Sequence, residues 1–509
     1  MRTALPVTSL DPNACCVTPP ALMGLLYDGL TAPDRTGATP QALVADLAVA
    51  LPAPASGGTV YTFRLRPGLH YSDGTPVRAG DFRRGFERVL RDHNQGVLTL
   101  GSIAAAAGCE PRKPCDLADT VVADDAAGTV SIHLRRTDPQ LLHQLAEHVA
   151  APVPRGTPRR VGRRALPGTG PYRVARFVRG RTIVLERNPH FRERSPAAQP
   201  AARPDRVIVT LGGEPAEDVL SGAADISLDP PAPDMLARLR TEAPGRLHVH
   251  QDVITDWTWL NAEAPPFDDP RVRQAVNLAV DRRAAVAAFG GPEYASATCQ
   301  LLPPGISGHE PYCPHTRRPS RRGTWRGPDL ARARALVRAS GTAGMPVTLW
   351  TFPDEPYGPT LSRVVVRALR QLGYPTKLRI VEDPLRIEQR RDRLQALAGT
   401  GAADRGAAQL LAPLLGCRSF RPARPGDTPY PGALCDERLL RLVERALAAE
   451  PADPVSARRL WAAADRRLVD LAVVVPLVNE AAAIVTGPRV GNYAWSPATG
   501  PLLGQLWVR

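Results

Sequence analysis

The segment His309-Glu310-Pro311-Tyr312-Cys313-Pro314-His315 sets imidazole, carboxylate and thiol side by side, the donor types of a transition-metal site. It lacks the second histidine of an HExxH helix, and Cys313 has a competing partner in Cys299. Six of the eight cysteines form short-range couples, Cys109 with Cys115, Cys299 with Cys313, and Cys417 with Cys435, each inside a loop rich in proline and glycine. Pairing across loops is disulfide chemistry of an oxidising compartment, and no CxxC pair is present to nucleate zinc. The adjacent Cys15 and Cys16 stand outside that scheme, free or bonded to each other under strain. Trp257 and Trp259 share one face of an extended segment, as an aromatic wall for a ligand or as core, and Trp350 and Tyr357 extend that choice. No GxSxG elbow, Walker loop or GxGxxG occurs, and Gly305-Ile306-Ser307-Gly308 has the wrong spacing. Binding is therefore expected rather than catalysis, with no cofactor and no metal.

The elements that would position these residues belong to a large α/β chain. At 509 residues, one hydrophobic core does not suffice, so two or more lobes are expected. The 54 prolines and 42 glycines imply many turns and long connections. A net charge of +14 would ordinarily suggest nucleic acid. Here the cations are 62 arginines against two lysines, scattered and without interleaved aromatics, as a GC-rich genome would produce. Nucleic acid is not expected as a partner. No stretch reaches the roughly 18 apolar residues that span a bilayer. The longest run, Leu471 to Val478, has the length of a strand.

Tyr61 to Leu90 is the most regular part of the chain. Tyr61, Phe63 and Leu65 alternate with Thr62, Arg64 and Arg66 as in a half-buried strand; Pro67-Gly68 stops it and Asp73-Gly74 makes a turn. Phe82, Phe86, Val89 and Leu90 then recur at helical spacing. The wording YTFRLRPGLHYSDGTPVRAGDFRRGFER resembles the solute-binding proteins of ABC importers for peptides and nickel, the oligopeptide- and dipeptide-binding group. Further matches follow in the family's order: Leu25 to Leu30 (LLYDGL), Gly168 to Tyr172 (GTGPY), Arg187 to Phe191 (RNPHF), Trp257 to Asn261 (WTWLN), and Pro265 to Arg282 (PPFDDPRVRQAVNLAVDR). The last reads physically as a Pro-rich turn and a helix capped by Asp269, with Pro270 at its first position.

The resemblance implies an α/β fold of the two-lobed periplasmic-binding-protein type, in its large peptide-binding form, with a cleft between the lobes. Lobe one is expected over 1–252 plus 481–509, with an extra subdomain inserted at about 40–165, and lobe two over 256–478. In peptide-binding relatives an aspartate pairs with the ligand's amino group, in a phrase to which Gly401 to Leu415 (GAADRGAAQLLAPLL) is similar. That places Asp404 at the ligand, although Arg405 replaces an aromatic and could neutralise the carboxylate. The implied function is an extracytoplasmic receptor that encloses a small solute, by default a peptide, and acts as a monomer. It would deliver that solute to a membrane permease with its ATPase. The alternative is a ligand-sensing domain of the same fold in a regulatory protein. MRTALPVTSLDP has no export signal, yet ALPVTSLDP resembles the start of a mature domain. Met1 is thus expected to follow a lost signal, or the chain to be one segment of a larger protein.

Overall fold

The computed structural model describes residues 1–4, 7, 9–13, 18–36, 42–92, 100–109, 115–158, 165–353, 358–382, 394–403, 406–414, 435–450 and 453–509. The chain divides into two compact units, Met1–His248 with Ala483–Arg509, and Val249–Ala482.

In the first unit, β1 (Arg2–Thr3), β2 (Val60–Arg64), α1 (Ala79–Asp92), β3 (Val121–Asp124), β4 (Thr129–His133), β5 (Tyr172–Val178), β6 (Thr182–Arg187) and β7 (Arg206–Leu211) form two sheets and a helix. Their orders are β2-β4-β3 and β1-β7-β6-β5. Alternation in β2 buries Tyr61 and Phe63 while Thr62 and Arg64 face solvent. Antiparallel pairing sets Phe63 opposite Val130 and Tyr61 opposite Ile132. Phe82, Phe86, Val89 and Leu90 of α1 pack into the same core. Asp81 starts that helix by accepting from Arg78 N at 2.9 Å, the reach-back of a capping box. Asp73 closes the preceding turn on Thr75 N at 3.0 Å.

Gly168 and Gly170 serve close approach, not an unusual dihedral: neither has positive φ. A Cβ at Gly168 would lie 2.0 Å from Leu26 O, and one at Gly170 would lie 2.6 Å from Leu25 O.

The second unit contains β8 (Leu247–Leu260), α2 (Pro270–Ala279), α3 (Arg282–Ala288), β9 (Ala295–Ala297), α4 (Leu330–Ser340), β10 (Val347–Thr351), α5 (Gly358–Gln371), β11 (Thr376–Ile380), β12 (Ala396–Ala402), α6 (Glu437–Ala449), α7 (Pro454–Leu471) and β13 (Val474–Val485). β8 and β13 each run on from one unit into the other. The sheet order is β9-β13-β8-β12-β10-β11. One face carries Val253, Trp257, Trp259, Trp350 and Leu397 against Leu439, Val443, Trp461 and Leu468 of α6 and α7. α5 packs on β10, β11 and β12 but contributes nothing to that cluster, so it covers the other face.

Asp269 caps α2 through Arg271 N at 2.8 Å, with Pro270 first in the helix. Val272, Ala275, Val276 and Ala279 are its buried stripe. Arg282, wholly buried, donates to the carbonyls of Thr298 and Pro476, both at 2.7 Å, and of Asn277 at 3.1 Å, fastening α3 to β13. The apolar run predicts a strand only to Val478. The structure carries it to Val485; on the added residues Asn479 donates to Thr255 Oγ1 at 2.7 Å and Glu480 is hydrogen-bonded to Asp256.

Candidate functional site

β10 and β12 are parallel neighbours, Leu349 opposite Ala396, so they end on the same side of the sheet, at Thr351 and Ala402. Ligands of open α/β sheets bind outside these carboxyl ends. The segments that continue the two strands carry Tyr357, and Asp404 with Arg405; all three lie outside the described residues.

Trp257 and Trp259 are buried, 3% and 2% exposed, within the core between sheet and helices. Trp257 lies directly over Gly401, where a Cβ would come within 2.6 Å of its Cη2. It therefore fixes the backbone path three residues before Asp404. Trp350 is also buried, with the Arg379 guanidinium 5.3 Å from its ring centre.

In the His309 to His315 segment each donor has a fastening role. His309 Nδ1 pairs with Leu302 O at 2.7 Å and His315 Nε2 with Val469 O at 3.1 Å. Glu310 accepts from Arg466 at 2.6 Å, and Cys313 is joined to Cys299. Burial holds the His315 imidazole down at about 4, neutral at physiological pH. Among the described residues no His, Cys, Asp and Glu cluster is arranged for a metal. Cys109 is joined to Cys115, with Cα atoms 5.2 Å apart. Cys435 is disulfide-bonded as well, while Cys417, like Cys15 and Cys16, lies outside the described residues.

Sequence reasoning passed over Asp256. It sits in β8 between Thr255 and Trp257, on the face opposite the tryptophans, and is only 7% exposed. Glu480 of β13 and Thr400 of β12 hydrogen-bond to it, and burial pushes its carboxyl up to about 6. The available signal was an acid inside an otherwise apolar, aromatic strand, where a charge requires a reason.

Comparison with known proteins agrees with this architecture. Residues 42–419 match the family model of bacterial extracellular solute-binding proteins, family 5 Middle. The periplasmic oligopeptide-binding protein OppA of Escherichia coli (strain K12) is 28% identical over 54% of this chain. The match takes in about half of that protein, 51%, and 42% of the OppA of Salmonella typhimurium. The glutathione-binding protein GsiB of Salmonella typhi is 23% identical, covering 97% of this chain and 91% of its own.

Among solved structures, the clavulanic acid biosynthesis oligopeptide binding protein 2 superposes with a TM-score of 0.84 at 27% identity, covering 100% of this chain and 94% of that one. The dipeptide-binding protein of Pseudoalteromonas sp. SM9913, in complex with Met-Leu, gives 0.75 at 18% identity with 100% of both chains covered, a likeness of fold. The fold is thus the mixed α/β, two-lobed type of the periplasmic peptide-binding proteins. With a family model that spans most of the chain, the protein belongs to the family 5 bacterial extracellular solute-binding proteins.

Proposed function

We propose that this chain is an extracytoplasmic receptor that encloses a small solute, a peptide by preference, and delivers it as a monomer to an ABC permease with its ATPase. One observation carries the reading: the parallel neighbours β10 and β12 end on the same side of the sheet, where α/β proteins hold ligands, and Tyr357 and Asp404 follow them within a few residues of sequence. Relatives named for oligopeptides and glutathione support a peptide-like cargo. The joined cysteines Cys109–Cys115 and Cys299–Cys313 support an oxidising compartment. A receptor needs no catalytic group, and closure around cargo is what a permease can read.

Asp404 is the proposed partner of the peptide amino group. Equilibrium dialysis against a defined mixture of di- to pentapeptides, read by mass spectrometry, tests both statements. Selective retention of some peptides is expected, with retention about tenfold weaker or worse in Asp404→Asn. No enrichment of any peptide would remove peptide as the cargo. Unchanged retention in the variant would remove Asp404.

A further inference from the structure

The β8 face that carries Asp256 contains more bare polar atoms than a finished core should. Among the described residues, Asp256 Oδ2, Thr258 Oγ1, Thr351 Oγ1 and the Ser362 Oγ of α5 are all buried without a hydrogen-bond partner. The three sheet residues lie on one face. Asp256 stands opposite Thr400 and Thr258 opposite Ala398. Continuing the β10–β12 register from Trp350 and Leu397 by one residue puts Thr351 level with Ala398 on the same face. α5, which carries Ser362, covers that face.

Thr400 is exposed and Glu480 half-buried, so the two groups flanking Asp256 are open where Asp256 itself is not. Thr258 and Thr351, wholly buried, lie deeper.

The charge is as incomplete as the hydrogen bonding. Two carboxyl groups, Asp256 and Glu480, are in hydrogen-bond contact, and among the described residues no guanidinium or ammonium acts on Asp256. A buried carboxylate without a cation is expensive, and bare hydroxyls beside it add to the cost. A primary ammonium answers both deficits, with three donors on a compact positive centre, whereas a planar guanidinium needs a wider fork.

We propose that Asp256, with Thr258 behind it and Glu480 and Thr400 at its flanks, receives a primary ammonium group of the bound solute. For a solute with one amino group, Asp256 and Asp404 are alternative partners, and the Asp256→Asn and Asp404→Asn variants decide between them. The inference rests on the receptor reading, and it extends the cargo to solutes with an amino group directed at β8.

Native mass spectrometry of the full chain with trialanine, N-acetyl-trialanine and putrescine tests it, alongside Asp256→Asn and Thr258→Val. Circular dichroism verifies the fold of each variant. The site predicts that at least one free-amine probe binds, and that Asp256→Asn weakens it about tenfold or more. Thr258→Val should weaken the same probe by a smaller factor. The acetylated peptide should bind poorly to wild type and respond little to either variant. Asp256-dependent putrescine binding without trialanine binding would uphold the amine site for a non-peptide amine. Equal binding of free and acetylated trialanine, unchanged in Asp256→Asn, would overturn the site and leave the receptor standing. If none of the three probes binds, the amine site is overturned, and the receptor reading is decided by the peptide dialysis. Should Asp256→Asn fail to fold, Thr258→Val alone decides: equal affinity for the free amine in that variant counts against the site.

Discussion

The β2–α1 region and the β8–β12 pair each bury an acid, yet they surround it in opposite ways. Around α1 the buried acid is paired with donors: Tyr71 Oη donates to Asp81 at 3.0 Å, and Asp81 also accepts from Arg78 N and pairs with Arg84. On the β8–β12 pair the acid has another acid beside it, and among the described residues the hydroxyls of Thr258, Thr351 and Ser362 have no partner. An unsatisfied buried group lowers stability in proportion to its lost hydration. The first region is thus organised to hold the fold, and the second keeps capacity in reserve for something that arrives.

Substitutions should separate the two regions by magnitude. The largest loss is expected at Phe63, fully buried against Val130 and α1: Phe63→Ala should cost about 3–5 kcal/mol of unfolding free energy in urea titration. A cost below about 1 kcal/mol would show that this core is not what the β2–α1 region contributes. Removing the Cys299–Cys313 bridge, which closes a sequence separation of 14, by paired serine substitutions should cost about 3 kcal/mol under oxidising conditions. The same pair of substitutions should have no effect when wild type is reduced as well.

Acidity provides the next test of the second unit. Because burial raises the Asp256 carboxyl to about 6, the folded state holds a proton that the unfolded chain releases near 4. The stability this group contributes is therefore fully present below about pH 4 and is lost as pH rises through about 6. Asp465, raised to about 7 by burial while it accepts from Gln300 and Leu301 N, adds a fall of the same sign up to about pH 7. Asp256→Asn should flatten the decline of unfolding free energy between pH 4 and 6, and Asp465→Asn the decline between 4 and 7. A decline of unchanged slope in both would refute the assignment.

The smallest effect should be at Thr258. Replacing an unpartnered hydroxyl by a methyl removes a cost, so Thr258→Val should leave the ligand-free protein unchanged or up to about 1 kcal/mol more stable. Destabilisation by 2 kcal/mol would mean that the hydroxyl is engaged in the fold.

These contrasts also explain what the sequence could reveal. Phe63, Phe86 and Asp269 announce their roles because strand alternation, helical spacing and capping are local, and the family phrases repeat those local rules. Gly168 and Gly170 were recognisable as a phrase, yet their reason, the nearby Leu25 and Leu26 backbone, needed the fold. Asp256 was invisible for a related cause. A single acid in ITDWTWL acquires meaning only when Glu480, more than two hundred residues away, and Thr400 are brought beside it. The same holds for Trp257, whose ring position over Gly401 follows from strand register and not from its neighbours in sequence.

Freshly purified protein, transferred without dialysis into native mass spectrometry, tests whether this chain is a solute receptor. The expected spectrum shows a population heavier than the 54.7 kDa chain by one small solute, released on gentle activation and identifiable by fragmentation as an amine-bearing peptide. A bare chain mass that stays bare after incubation with a peptide digest and with small amines would contradict it.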